Sequence, residues 1–536
     1  MKKTALFILA LAAAAVLSAS CAGSGSKAAE EQTRSITAGE NTRMKTTYGT
    51  IEGYLDGDVY TFKGIQYAKA DRFMPPQDPD VFEGVRMCKI YGPKAPQSES
   101  LVWRDNTQTD YAVGNNFVME PMDEKGCLVL NVWTKGLNDG KKRPVFVWIH
   151  GGGFSTGSGH DLPCYEGYSL AKKGDIVFVN LNHRLNVLGY VDLSGLGGKY
   201  AESVNLGMQD IVKALEWIHK NIEKFGGDPA QVTIGGQSGG GGKVSTLLAM
   251  PSAKGLFQKA VIQSGSGLRI GEGADAREYG LAFVEALGAK PSANVDLSGY
   301  TYEQLVAAGR TASQKLAAKG KRGGAGPCVD GKIVPTQLFD PVAPEVSKDV
   351  PMLVGTNFNE FSFDINSDLS EKDIVAKLEE RYGKERAAEF VDCFKATYPD
   401  LKPSDMLFAD MRFRLTALQQ CASKARQGGA KVYNYLFNWR PTENALGASH
   451  GMELPFMFNN VSLQREMTGG SARAYKLQEK ISDAWLAFIK TGDPNTPSLP
   501  AWDAFTEDNG ATMVLDDVCV LKNDLDKQLL EIANRQ

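Results

Sequence analysis

Apolar runs of strand length alternate with helical periodicity through the first half of the chain. Leu128 to Trp133, Pro144 to Ile149 and Asp175 to Leu181 each read as a buried strand. Between Leu206 and Phe225, Met208, Ile211, Val212, Leu215, Ile218 and Ile222 recur mostly at spacings of three and four, which puts them on one face of a helix. Gly226-Gly227-Asp228-Pro229 ends it, because glycine favours a helix C-terminus and proline cannot continue the ladder. Val232 to Gly235 then predicts a short strand, Val244 to Met250 a helix, and Lys259 to Gln263 another strand. Strands alternating with helices imply a mainly parallel sheet covered on both faces.

The second half is less regular. Tyr302 to Ala318 and Glu371 to Tyr398 have helical patterns and flank a strand candidate, Met352 to Gly355. Lys431 to Phe437 predicts a further strand, and a last helix, Ala472 to Lys490, ends at Thr491-Gly492-Asp493-Pro494. No repeat or long linker follows Met44, so residues 45–536 are expected to form one large α/β domain, with helical insertions between the later strands as a cap over the site.

Composition narrows the class. Of 536 residues, 43% are hydrophobic and 23% charged, as in an ordinary globular protein. A net charge of −4, with no basic run beyond short patches such as Lys319 to Arg322, provides no positive field for nucleic acid and argues against that partner. Lys2 and Lys3 precede an apolar run from Ala5 to Leu17, too short for a stable membrane span but fitting a secretory signal. Ser18-Ala19-Ser20-Cys21 resembles the lipobox of bacterial lipoproteins, although Leu17 lies one position earlier than the usual leucine. Residues 1–21 are therefore expected to be an export signal with lipidation at Cys21, and residues 22–44 a flexible tether. The protein would then be exported, at the outer membrane or the periplasmic face, touching membrane only through an N-terminal lipid. Cleavage near Ser20 or Ala22 would release it as a soluble protein instead. Seven cysteines remain besides Cys21, an odd number without CxxC or zinc-ligand spacing, which suits buried free thiols packing as small hydrophobes.

The chemistry lies in two glycine-rich segments. Gly236-Gln237-Ser238-Gly239-Gly240 is a G-x-S-x-G pattern after a strand and before a helix, the context of a nucleophile elbow in which small neighbours let the serine hydroxyl project. With 57 glycines in the chain such a pattern arises by chance too, so its context and a second motif matter. That second motif is His150-Gly151-Gly152-Gly153-Phe154, directly after the strand ending at Ile149. Consecutive glycines let backbone N–H groups turn toward a developing oxyanion, whose stabilisation is worth a few kcal/mol of barrier. HGGG upstream of a nucleophile elbow points to an α/β-hydrolase.

Chain order in that fold is nucleophile, acid, histidine. His150, His160, His183 and His219 all precede Ser238, which leaves His450, in Ser449-His450-Gly451, as the base. His160 follows the glycine loop and is a candidate for substrate contact. For the acid, Glu360 in Thr356-Asn357-Phe358-Asn359-Glu360 follows a strand closely and can orient an imidazole, while Asp364 is its rival on spacing alone.

The chain resembles the type B carboxylesterase family, which includes para-nitrobenzyl esterases, animal carboxylesterases and cholinesterases. The resemblance runs from about Thr47 to Leu515 through Tyr60 to Ala68, Cys127 to Trp133, the HGGGF loop, Asn182-His183-Arg184 and Asn221 to Gly236. It continues through Gln263-Ser264-Gly265-Ser266, Gly355-Thr356-Asn357 with Glu360, His450-Gly451 and Trp485 to Pro494. By similarity the triad is Ser238, Glu360 and His450, the oxyanion donors are the N–H groups of Gly152, Gly153 and Gly239, and Ser264 lies near the triad. Three departures stand out. The family has Glu before the nucleophile and Ala after it, whereas this chain has Gln237 and Gly239 followed by Gly240 to Gly242. The carboxylate's charge is lost, and a glycine run at about 1 kcal/mol per residue relative to Ala makes a looser elbow unless backbone packs against it. Cys127 matches a family half-cystine, but its usual partner position after Gly92-Pro93 holds Lys94 and Ala95, with Cys88 nearby. Lys69 to Pro75 lacks the usual proline-rich approach to Arg-Phe.

The expected reaction is acyl transfer through an acyl-enzyme on Ser238, with no metal and no organic cofactor, on a small-molecule or carbohydrate-linked ester. The alternatives are a non-catalytic adhesion or binding protein on the same fold, and hydrolysis of an amide or lactone.

Overall fold

The computed structural model describes residues 34–98, 121–361, 369–444 and 446–535. The export signal, Cys21, residues 22–33 of the tether and the rival acid Asp364 lie outside the described residues.

A 12-stranded sheet forms the centre. Its strands are numbered in chain order: β1 (Ile36–Thr37), β2 (Tyr54–Asp56), β3 (Val59–Gln66), β4 (Val129–Thr134), β5 (Arg143–Ile149), β6 (Val177–Leu181), β7 (Gly227–Gln237), β8 (Lys259–Gln263), β9 (Met352–Asn357), β10 (Val432–Phe437), β11 (Thr512–Leu515) and β12 (Val520–Lys522). In space the order is β1-β2-β3-β4-β6-β5-β7-β8-β9-β10-β11-β12. From β6 through β11 every neighbour pairs in parallel, and both flanks are antiparallel. The central strands read as continuous apolar runs because both faces are covered. Phe146 and Trp148 of β5 enter one core with Phe178, Tyr435 and Trp485, while Val145, Val147 and Ile149 enter the opposite core with Val179, Ile234 and Val354.

The helix α1 (Leu206–Asn221) buries the predicted apolar stripe, continues as a 3-10 turn, and stops at Gly226, whose φ of 71° only glycine adopts readily. The strand predicted at Val232 to Gly235 is longer, and α2 (Gly239–Leu247) starts before Val244. Between β8 and β9 lie α3 (Gly273–Ala286) and α4 (Tyr302–Ala317), which build a third core with Val187 and Leu193. The helix predicted from Glu371 to Tyr398 is two, α5 (Glu371–Tyr382) and α6 (Lys384–Thr397), divided at Gly383 with φ 80°. After them come α7 (Arg412–Arg426) and α8 (Ala472–Thr491).

At the N-terminus the sheet begins earlier than the tether expected to reach residue 44. Ile36 and Thr37 pair with Asp56 and Leu55, and Arg43–Lys45 pairs with Thr50–Glu52 in a small separate sheet. Ile36 is 68% exposed, so this edge strand is held by backbone pairing and leaves no burial pattern in the sequence.

Candidate active site

The predicted catalytic segments all leave the sheet at the carboxyl ends of parallel strands, where open α/β sheets place their ligands. The glycine loop follows β5, Ser238 follows β7, Glu360 follows β9, and His450 lies beyond β10.

Ser238 turns the chain from β7 into α2 with φ 58° and ψ −126°. A non-glycine residue there costs about 1–3 kcal/mol and persists only where its surroundings impose it. They do so through close backbone contact. The Ser238 N–H donates to the Gln263 carbonyl at 2.8 Å, and the Ser238 carbonyl accepts from Gly242 N–H at 3.0 Å. A Cβ on Gly236 would lie 2.4 Å from the carbonyl carbon of Gly240, one on Gly239 2.1 Å from the Gly153 oxygen, and one on Gly240 2.1 Å from the Ile149 oxygen. The glycine run therefore does not loosen the elbow: backbone from β5, the HGGGF loop and the Ser264-Gly265 segment fills the space. Gly242 alone of the run has ordinary room, 3.4 Å to the Phe154 ring.

The two glycine motifs meet here. A Cβ on Gly151 would stand 3.5 Å from Ser238 Cβ, and Gly152 and Gly153 have φ of 77° and 61°. Among the described residues no protein acceptor takes the N–H of Gly152, Gly153 or Gly239. These are donors available to a substrate oxygen.

Glu360 and His450 are brought together. His450 Nδ1 lies 2.5 Å from Glu360 Oε2, and the His450 backbone N–H donates to the Glu360 carbonyl at 2.7 Å. Glu360 Oε1 accepts from Asn357 N–H at 2.8 Å, and the carboxylate is 1% exposed. An ionised carboxylate only accepts, so Nδ1 carries the imidazole proton and Nε2 keeps its lone pair. Phe361 stacks on the His450 ring with centroids 4.4 Å apart, and Phe413 approaches its side at 5.8 Å. Gly451 brings the histidine loop against the elbow, its Cβ direction 3.8 Å from Gln237 Nε2. Gln237 is buried at that junction. Ser264 is buried too, with φ 46° and its N–H on the Gly355 carbonyl at 2.8 Å. Gly265 after it touches the Ser238 carbonyl, a Cβ there standing only 2.2 Å away.

Three groups around the site, Glu453 and Lys243 buried and Asp410 half-buried, escaped the sequence reading. Glu453 accepts from Asn357 Nδ2 at 2.6 Å and Gln263 Nε2 at 3.0 Å, and burial, reinforced by the Glu360 charge, pushes its carboxyl up to about 7. Its signal was available: it lies three residues after His450, in the same turn. Asp410 is pushed up to about 6 by the same two causes. Lys243, on α2, lies fully buried beneath the HGGGF loop. His160, the candidate for substrate contact, is half-buried and stacks on Tyr91 at 4.2 Å and 4°, with burial lowering its imidazole to about 3. Cys88 and Cys127 are both buried free thiols.

Residues 40–532 match the carboxylesterase family. The chain is 33% identical over 494 residues to the para-nitrobenzyl esterase of Bacillus subtilis, spanning 90% of this chain and 96% of that one. It is 30% identical over 499 residues to the phenmedipham hydrolase of Pseudarthrobacter oxydans, spanning 88% and 94%. Among solved structures, an esterase from anaerobic Clostridium hathewayi described as able to hydrolyse aliphatic aromatic polyesters superposes with a TM-score of 0.86 at 36% identity, covering 94% of this chain and 99% of that one.

Proposed function

Because this chain belongs to the carboxylesterase family and is a carboxylic ester hydrolase of the α/β-hydrolase fold, we propose that Ser238 is its nucleophile, His450 its general base and Glu360 the acid that orients the base. The observation that carries this assignment is the 2.5 Å contact between His450 Nδ1 and Glu360 Oε2 at the mouth of the elbow. With Nδ1 holding its proton for Glu360, Nε2 accepts the Ser238 proton as Oγ attacks the ester carbonyl. The oxyanion that forms is held by the N–H groups of Gly152, Gly153 and Gly239. His450 then returns its proton to the alcohol, and a water activated by the same nitrogen releases the acid from the acyl-enzyme. Ser264 and Gln237 support this site from behind: Ser264 precedes Gly265, whose backbone packs on the Ser238 carbonyl, and Gln237 lies beside Gly451 of the histidine loop.

The test is hydrolysis of p-nitrophenyl esters of increasing acyl length beside matched amides and lactones. Ser238→Ala is expected to lower kcat by about four orders of magnitude or more while leaving the fold intact. Undiminished turnover in that variant would eliminate the triad, and faster turnover of the amide or lactone would move the protein to another acyl bond. A binding protein without catalysis is not favoured.

The substrate fits a small-molecule or carbohydrate-linked ester. The catalytic unit begins with the sheet at Ile36, earlier than residue 45, and residues 1–21 direct export, with Cys21 as the lipid-carrying residue that holds the enzyme at a membrane face. Support for the export reading comes from the basic and apolar pattern of the first residues. Among the described residues no helix is long and apolar enough to cross a membrane.

A further inference from the structure

Lys243 is 0% exposed and lies within the first turns of α2, five positions after Ser238. This is an expensive place for an ammonium. Burial removes it from water, and the nearby helix N-terminus carries partial positive charge. Among the described residues it has no ion-pair partner within salt-bridge distance; the charge that acts on it favourably is Asp161, at longer range. Its Nζ instead donates to the His150 carbonyl at 3.0 Å and to the Gly151 carbonyl at 3.4 Å, with the Phe154 ring centroid at 5.7 Å. A lysine needed only to fill space would not require a charge there.

The carbonyls it holds are those of the HGGGF loop. The Gly151 carbonyl and the Gly152 N–H are two ends of one peptide group, so a donor on that oxygen both fixes the direction of the N–H and polarises it. The same oxygen also lies 3.0 Å from His150 Nδ1, which must carry the ring proton because a carbonyl can only accept. His150 packs against His183 with ring centroids 4.7 Å apart. Burial first, and Lys243 second, holds both imidazoles well below their ordinary range, so they stay neutral. They neither compete with the ammonium nor neutralise it.

We propose that Lys243 is a positioning residue of the oxyanion hole, its ammonium orienting and polarising the Gly151–Gly152 peptide and placing a positive charge beneath the developing oxyanion. The proposal rests on the esterase mechanism given above. It carries a pH dependence that such enzymes do not need. Burial brings the Lys243 ammonium down to about 7. The charge is therefore present on the acid side of neutrality and lost as pH rises through that value. The groups facing it are the neutral His150 and His183 and the distant Asp161, which tends to preserve the charge. Turnover should therefore fall on the alkaline side as Lys243 loses its proton.

The experiment compares the full-length wild type with Lys243→Met, Lys243→Gln and Ser238→Ala, using p-nitrophenyl acetate from pH 5.5 to 9.5. Methionine keeps the length without a donor, and glutamine keeps a donor without charge. Both variants are expected to lose the alkaline limb. At pH 6.5, kcat should fall about tenfold or more with KM changed less than about threefold, and affinity for a trifluoromethyl ketone, whose adduct carries the oxyanion, should fall with kcat. If Ser238→Ala is inactive while either lysine variant keeps wild-type kcat and the alkaline limb, the proposal is overturned and the esterase mechanism stands. If Ser238→Ala remains fully active, both are overturned. Should Lys243→Met fail to fold, Lys243→Gln alone decides between these outcomes.

Discussion

At the residue after Ser238, the proposed nucleophile, this chain has glycine where the family it resembles usually has alanine, and the structure gives a reason. A methyl group on Gly239 would meet the Gly153 oxygen at 2.1 Å and the Gly153 Cα at 2.4 Å, both backbone atoms of the loop proposed to supply oxyanion donors. The contact cannot be relieved by rotating a side chain; the loop itself must retreat. Gly239→Ala is therefore expected to lower kcat by about 10- to 100-fold, with little change in KM, because displacement of a catalytic group by about an ångström costs that much. Steady-state kinetics on p-nitrophenyl acetate checks it, and wild-type kcat would show that the loop yields without consequence. Residue identity made Ser238 and His450 legible, since only one histidine follows the serine. The acid needed more. Glu360 was preferred for following its strand closely, with Asp364 a rival on spacing alone; family resemblance chose the first, and the structure brings Glu360 to the histidine through a pairing between residues 90 apart.

Among the elements, α2 is the one whose sequence argues most against its structure. Four glycines open it, each costing about 1 kcal/mol relative to alanine. For Gly239, Gly240 and Gly241 that cost accompanies close approach of other backbone, Gly241 with its Cβ direction 2.9 Å from Gly265 Cα. Gly242 has no such neighbour, only the Phe154 ring at 3.4 Å, so alanine fits. Gly242→Ala should stabilise the protein by about 0.5–1 kcal/mol through helix propensity alone, seen as a modestly raised denaturation midpoint with kcat unchanged. A lowered midpoint would mean that the Phe154 contact is tighter than its distance indicates. The strands β5, β6, β8 and β10 were readable because burial on both faces leaves a continuous apolar run. The single long helix expected at Glu371 to Tyr398 failed for a local reason: its periodicity persists across Gly383, while the backbone there takes φ 80° and ends one helix to begin another.

Across the whole molecule, one buried cluster ties five distant segments together. Arg414 on α7 pairs with Asp526 at 2.8 Å and donates to Asn434 of β10 at 2.7 Å and to Thr512 of β11 at 3.0 Å, with Tyr398 after α6 also bonded to Asp526. Removing one member of a buried pair leaves the other charge without compensation, at about 3–5 kcal/mol. Asp526→Ala is expected to lose that much stability in urea unfolding while keeping activity at low temperature, since Asp526 bonds none of Ser238, Glu360 and His450; an unchanged midpoint would mean that water replaces the carboxylate.

What the sequence alone determined follows from short-range physics. Alternating and continuous apolar patterns located most strands and helices, glycine and proline marked their ends, and chain order together with two glycine motifs pointed to a serine hydrolase. Tertiary structure decided what depends on contacts between residues far apart in the chain. It closed the glycine run with backbone from three other segments, paired the exposed Ile36–Thr37 with the sheet edge, gathered Glu453 and Asp410 around Glu360, and placed Lys243 under the carbonyls of His150 and Gly151. A buried charge leaves no periodic mark in a sequence, because its cost and its use are both set by neighbours that only folding supplies.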